Sequence, residues 1–480
     1  MKITRRTFLK STMGVLASSI PMVSFSQGFA AKQKAVREFR FSATPARVNL
    51  GRGSDFIAWT YNGQIPGPEI RVKEGEIIRV ILKNFLPEGT TIHWHGVPVP
   101  NSMDGVPDIT QKAVMPGQTF VYEFESKPAG TYLYHSHAHY QLDQGLYGPL
   151  IIEPARLDAS YDREYTLMLE DWVMKDGGGT ARTQRRPVMG MGMMMGSMRG
   201  RFQGPQNGPG PLLEPYYDGY AVNGRLYPEI KPIEIKKGER IKLRILNPSS
   251  ATIYDLSLAG HTLKVTHTDA NPIIPVDTDV LRIGMGERYD VEFEADNPGY
   301  WLLAARETGL GEGMIRIPVQ YHGIKRKEPI PPLFQNGLRF AGYRDFKASF
   351  HSEKTNPDLR QSIFYPQMLS GGMHSPFWMI NGQIYPNSER LVVQKGERAR
   401  LRYLNRSMMP HPMHLHGHFF KLVNPRLSPE QWILKDTVIV NPMQQIEIEF
   451  LADNPGRWFH HCHNLYHMEA GMANVVIYKR

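Results

Sequence analysis

A tripled segment constrains this chain more than any other feature. Asn62-Gly63-Gln64-Ile65-Pro66 recurs as Asn223-Gly224-Arg225-Leu226-Tyr227 and again as Asn381-Gly382-Gln383-Ile384-Tyr385. Each copy runs on to a Gly-Glu turn, at Gly75-Glu76, Gly238-Glu239 and Gly396-Glu397, and nine residues past each of those glycines stands an asparagine: Asn84, Asn247 and Asn405. The copies lie about 160 residues apart, so the repeating unit is a whole domain and not the short module of a solenoid. The segments after the turns alternate. Ile241, Leu243 and Ile245 share one face, as do Ala399, Leu401 and Tyr403, and a period of two argues half-buried strands. A second alternating stretch closes each unit (TFVYEFES, RYDVEFEA, QIEIEFLA), followed by Gly130, Gly299 or Gly456 and an aromatic-rich strand. Gly and Pro together make 17% of the chain, above the ~12% of average usage, which suits short strands and tight turns. The expectation is an all-β chain of three β-sandwich domains, at 36–155, 160–323 and 340–480.

Two stretches stand outside the repeat. The first is residues 1–30, where Thr4-Arg5-Arg6-Thr7-Phe8-Leu9-Lys10 precedes an apolar, small-residue run, the layout of an export signal. Its paired arginines followed by Phe-Leu-Lys resemble a twin-arginine signal, which places the mature chain in the periplasm. No later run is long enough to span a membrane. Without the four basic residues of that leader the formal charge of +10 falls to +6, a mild value that calls for no nucleic-acid partner. The second stretch is an insertion at 176–215, rich in Gly, Pro, Arg and Met. It includes MGMGMMMGSM at 189–198 and patterns as neither helix nor strand.

Superimposing the three units brings out the chemistry. Nine residues past the asparagine, the first unit has His93-Trp94-His95-Gly96 and the third has His414-Leu415-His416-Gly417, whereas the second has Leu256-Ser257-Leu258. Past the later glycine come His135-Ser136-His137 in the first unit, Ala304-Ala305-Arg306 in the second and His461-Cys462-His463 in the third. One His-x-His pair could be two surface histidines on a strand. Four pairs at matching offsets, in the two outer units only, point to a metal cluster between those units, and imidazole suits copper. Cys462 is the only cysteine, although exported proteins normally use cysteines in pairs, so a chemical role is expected for it. With His411, His467 and Met472 it supplies two imidazoles, a thiolate and a thioether, the ligand set of a blue-copper site. The first unit has Thr90, Ser136 and Gln141 where the third has His411, Cys462 and His467, so that site occurs once. The other histidines, His139, His261, His267, His322, His351, His374, His418 and His460, read as structural or surface residues.

The motifs HWHG, HSH, HPMHLHGH and HCHNLYHMEAGM resemble the four copper-binding signatures of the multicopper oxidases, and the resemblance covers the whole mature chain. It implies three cupredoxin-like Greek-key β-sandwiches and four copper ions per chain. A type 1 copper on His411, Cys462, His467 and Met472 would take single electrons from a reductant. His93 and His414 would hold the type 2 copper, and His95, His135, His137, His416, His461 and His463 the type 3 pair, where O2 becomes water. The twin-arginine leader, MDGVP, YGPLIIEP and LYHMEAGM are similar to the bacterial copper-resistance (CopA-like) subgroup, which implies oxidation of Cu(I) to Cu(II), with laccase-like oxidation of phenols or aryl amines as the alternative. Asp104, eleven residues past His93, matches the family acid that orients water and relays protons. The second family acid normally flanks the position of His467. Here the flanking residues are Tyr466 and Met468, and Glu469, one further on, is the substitute to expect. Met408 and Met409, just before His411, join the 189–198 run, Met368 and Met373 as soft thioethers suited to Cu(I), whereas Met379 beside Trp378 reads as core filling. A copper-sequestering protein without turnover is the alternative from another class, but none of the twelve expected ligand positions is missing. A monomer is expected.

Overall fold

The computed structural model describes residues 34–53, 55–156, 161–174, 214–309, 312–349, 362–372 and 375–479. The leader at 1–30, the methionine run at 189–198, Met373, His351 and His374 lie outside the described residues, as does the 176–215 insertion up to residue 213. Among the described residues no helix is long and apolar enough to cross a membrane.

Among the described residues six sheets account for the strands, and they come in pairs along the chain. In the first pair, strands Val36–Asn49, Asp55–Tyr61, Ile77–Asn84 and Thr119–Glu125 form one sheet, and Ile70–Lys73, His93–His95, Gly130–His135 and Tyr147–Glu153 form the other. Their inner faces meet in one core, with Phe41, Val80 and Tyr122 from the first sheet against Trp94, Tyr132 and Leu150 from the second. A seven-stranded and a six-stranded sheet follow, then a six-stranded and a five-stranded one, each pair packed in the same way. The all-β fold of cupredoxin-like sandwiches is therefore realised.

The repeated residues recur because each performs the same local task. Asn62, Asn223 and Asn381 all have positive φ, as do the glycines after them, the conformation that a tight Asn-Gly hairpin requires. Asn84, Asn247 and Asn405 are buried clamps. Each side-chain amide donates to two carbonyls across a loop (Glu88 and Val114, Thr252 and Ile283, Met409 and Val440), and each side-chain oxygen accepts the amide two residues on. The clamp fixes the path from the strand that ends at the asparagine to the strand that begins at the ligand position. Each such bond is worth about 1 kcal/mol net, and a buried partner left without it costs more.

One strand departs from its pattern. Arg398–Asn405 is half-buried as its alternation implies, but Arg240–Leu246 is buried on both faces. Its polar face lies against the first sandwich, where Arg244 donates to Thr131 at 2.8 Å and pairs with Asp290 and Glu164, and Lys242 pairs with Asp290. Sequence alternation shows that two faces differ in polarity, and charged residues can still be buried when counter-ions of their own domain pair them and a neighbouring domain covers them.

Candidate metal centre

Strand register brings the histidine pairs together. In the first sandwich His93 lies opposite His135. In the third, His414 lies opposite His461 and Met413 opposite Cys462. Directly opposed residues of an antiparallel pair share a face, so each outer sandwich presents a patch of imidazoles, and the two patches meet. His93 stacks on His416 and His95 on His414, each at 3.8 Å between ring centres. Strand Arg457–Cys462 ends at the thiol, and Asn464 then caps a short helix, Leu465–Glu469, by accepting the amides of Tyr466 and His467. That single turn returns His467 to the thiol.

The hydrogen-bond partners fix which ring nitrogen is available. A carbonyl or carboxylate oxygen can only accept, so the nitrogen facing it carries the hydrogen and the other holds a lone pair. Nδ1 of His93 donates to the Asp104 carbonyl at 2.8 Å, that of His414 to the Asp436 carbonyl at 2.9 Å, that of His135 to Ser136 and that of His461 to Cys462. Nδ1 of His416 faces the Asp104 carboxylate at 3.1 Å. His95 is reversed, with Nε2 towards the Asp436 carboxylate at 3.2 Å. The lone pairs that remain have no protein partner: Nε2 of His93, His135 and His414, Nδ1 of His95, and both nitrogens of His463 are buried and unbonded. The Nε2 atoms of His416 and His461 face each other at 3.0 Å, and that of His137 lies 3.3 Å from that of His461. Lone pairs converging in a dry interior need a cation between them. Burial pushes the pKa of His95, His135, His137, His416, His461 and His463 well below the usual histidine range, which keeps them in the neutral, ligating form.

The second group is smaller. Nδ1 atoms of His411 and His467 lie 3.1 Å apart, and each is 3.6 Å from Sγ of Cys462. His411 Nε2 contacts the Ser407 hydroxyl at 2.7 Å, and burial brings the His411 pKa down to about 3. Burial pushes the Cys462 thiol up, so its thiolate needs an adjacent cation to form. Met472 is fully buried, and its carbonyl accepts the Cys462 amide at 3.0 Å. Two neutral imidazoles and a thiol on one point suit copper or zinc, and the thioether-bearing residue beside them favours copper.

Histidines assigned to structure behave differently. His418 uses one nitrogen on the His416 carbonyl and the other on the Tyr478 hydroxyl, His261 uses the Ala259 carbonyl and Tyr321, and His460 uses Asn474 and Tyr403. None of the three has an orphaned nitrogen.

Other placements sharpen the reading of the motifs. Thr90, Ser136 and Gln141 come together in the first sandwich, with both hydroxyls donating to the Gln141 carbonyl oxygen at 2.7 Å. Asp104 is buried between His93 and His416. Glu469 does not join it. Its carboxylate lies 3.5 Å from the exposed His139, and Met468 instead lines a small cavity of about 10 Å³ against His135, His137, His461 and His463, room for about one water. Sequence reading missed three contributors. Asp436 touches His95 and His414, Glu214 lies 3.9 Å from His467 Nε2, and Trp378 covers the His467 ring at 3.9 Å between centres.

Comparison with known proteins agrees with this geometry. Three multicopper oxidase family models match residues 43–156, 163–322 and 360–480. The chain belongs to the multicopper oxidases, copper-binding oxidoreductases that use O2. It is 36% identical to multicopper oxidase MmcO of Mycobacterium tuberculosis, over 90% of this chain and 85% of that protein. Within the family it is also similar, at 28% identity and over 99% of both chains, to copper resistance protein A of Escherichia coli. The solved multi-copper oxidase from Pseudomonas thermotolerans superposes with a TM-score of 0.70 at 26% identity, over 93% of this chain and 100% of that one.

Proposed function

We propose that the chain binds four coppers and oxidises Cu(I) to Cu(II) in the periplasm, with O2 as the acceptor. The observation that carries this reading is the His411–Cys462–His467 trio, joined through one strand to the imidazoles of the larger group. In this reading His411, Cys462, His467 and Met472 hold the type 1 copper, and His93 and His414 the type 2. His95, His135, His137, His416, His461 and His463 hold the type 3 pair. When bound, the coppers supply one-electron oxidation of the reductant at the thiolate centre and four-electron reduction of O2 to water at the imidazole cluster.

The chain's own residues set the route. Cys462 connects to the cluster by its peptide bonds to His461 and His463 and by the bond from His461 Nδ1 to its own carbonyl. His467 is the outward edge of the thiolate centre, with Glu214 (32% exposed) beside it. Met408 and Met409, 68% and 38% exposed, precede His411, so soft thioethers and a carboxylate flank the place where a reductant docks. A thioether prefers Cu(I), and the negative charge of Glu214 attracts a cation. Proton supply is assigned to Asp104, which orients His93 and His416 and lies where O2 is reduced. Glu469 faces His139 and not the cavity, so the proposed route runs through Asp104 alone.

Laccase-like oxidation is the second reading, and one observation favours it: the Glu214 carboxylate beside His467 can also accept the proton that a phenol releases. Oxygen consumption by the copper-loaded protein with Cu(I), Fe(II) or a phenol as sole donor separates the two. The fastest uptake is expected with Cu(I). Phenol turnover outrunning Cu(I) turnover would replace the first reading with the second.

A further inference from the structure

We propose that Arg288, from the middle sandwich that has no ligand histidines, is a positioning residue of the polynuclear copper site, acting through Asp436. The inference rests on the copper assignment above.

Arg288 is fully buried and holds Asp436 with two bonds, Nη1 to Oδ1 at 2.7 Å and Nη2 to Oδ2 at 2.6 Å. Asp436 in turn lies 3.2 Å from Nε2 of His95 in the first sandwich, and its carbonyl accepts Nδ1 of His414 in the third at 2.9 Å. Its neighbour Thr437 places a hydroxyl 3.2 Å from His95 and 3.1 Å from His414. One aspartate therefore sets the orientation of two ligand rings from different sandwiches, His95 through its carboxylate and His414 through its carbonyl, which aims the unbonded nitrogen of each at the site. A planar bidentate pair fixes the carboxylate in angle as well as position, which a single ammonium would not do.

The guanidinium is itself held by two backbone carbonyls as well. Its Nε donates to the Thr131 carbonyl and Nη1 to the Gly286 carbonyl, while the Arg288 amide bonds Asp269 at 3.1 Å. Asp269 also accepts the amides of Asp436 and Thr437 and pairs with Lys435 at 3.0 Å. Two glycines make room. A Cβ on Gly96, in the HWHG motif, would lie 2.5 Å from both Arg288 and Asp436, and one on Gly286 would press into His95 and His463 at less than 3 Å. The buried set of Arg288, Lys435, Asp269, Glu287 and Asp436 carries two positive and three negative charges. That surplus anion, without solvent, faces the place where cations are held.

The test compares copper-loaded Arg288→Gln with the unmodified protein in two readouts, copper per chain and the visible absorption of the thiolate centre. The expected result is an unchanged thiolate absorption and a loss of polynuclear copper, with the free-copper concentration for half occupancy raised by up to about 10- to 100-fold, the usual scale when a ligand's hydrogen-bond partner is lost. Asp436→Asn should give the same defect, and the double variant no more than either alone. Arg288→Lys, which keeps the charge, is the version to read if the glutamine variant does not fold, and it should show the same selective loss to a smaller degree. Arg244→Gln is the control. Arg244 is equally buried at the same interface and touches Thr131 and Asp290 but not Asp436, so it should cost stability without changing the ratio of copper to thiolate absorption. Full polynuclear copper in the Arg288 variants, or an equal loss in Arg244→Gln, would overturn the proposal. A missing thiolate absorption in the unmodified, copper-loaded protein would instead strike the copper assignment itself.

Discussion

The first and third sandwiches build the same frame around different contents. In the third, His411, Cys462 and His467 bring two ring nitrogens and a thiol within 3.1 to 3.6 Å of one another. In the first, the matching positions hold Thr90, Ser136 and Gln141, and these satisfy one another: two hydroxyls donate to one amide oxygen, whose nitrogen donates to the Gly89 carbonyl. Both frames carry the same asparagine clamp, Asn84 and Asn405. The frame therefore positions three side chains without deciding their chemistry. What decides it is whether the polar groups cancel or leave an unmet need for a cation.

A second contrast runs through the same pair. Asp104 and Asp436 each accept Nδ1 of a first-strand histidine on the backbone carbonyl, and each reaches a histidine of the opposite sandwich with the carboxylate. Asp436 is clamped by Arg288 and stays an anion. Among the described residues no lysine or arginine pairs with Asp104. One aspartate is a fixed brace, and the other, without such a clamp, is the one assigned above to proton supply.

Breaking these contrasts gives graded outcomes. Cys462→Ser should remove the visible absorption and oxygen consumption together, with every donor; turnover in a colourless variant would sever the proposed electron route. Asp104→Asn should keep the thiolate absorption but slow oxygen consumption by about 100-fold, the usual scale for losing a positioned acid. Unchanged rates across pH 5 to 8 would leave proton supply to another group. Glu214→Gln should raise KM for Cu(I) about fivefold, worth about 1 kcal/mol, and the difference should shrink as salt screens it. A phenol's KM, measured alongside, should move less. Smallest of all, Thr90→Val should lower stability in chemical denaturation by about 1 kcal/mol and leave colour and activity intact, because it removes one satisfied bond from the metal-free frame. A loss of colour there would show that the two frames are coupled.

The candidate metal ligands and the clamps are legible in the sequence because both recur at fixed offsets from the same glycine and asparagine. Asp104 is legible through the family resemblance. Asp436 is not, because it stands 22 residues past His414 whereas Asp104 stands 11 past His93: the third sandwich inserts a hairpin, Phe420–Leu422 with Leu434–Lys435, and a turn at Pro429–Gln431. Matching offsets cannot find a residue displaced by an insertion. Arg288 hides differently, as one polar residue in an alternating strand that reads as solvent-facing, and only the packing of three domains shows that side to be buried. Glu214 belongs by sequence to the end of a Gly- and Met-rich insertion, and nothing local links it to a histidine some 250 residues later.

The facing nitrogens of His137, His416 and His461 have a consequence for the life of the protein. Without metal these rings repel in a region with room for about one water, whereas a bound ion turns the same geometry into attraction. Ligand binding to the folded state alone adds RT ln(1 + [L]/Kd) to its stability, about 4 kcal/mol at a thousandfold excess over Kd. The folded population should then rise with the copper supply and fall through proteolysis when the metal is scarce.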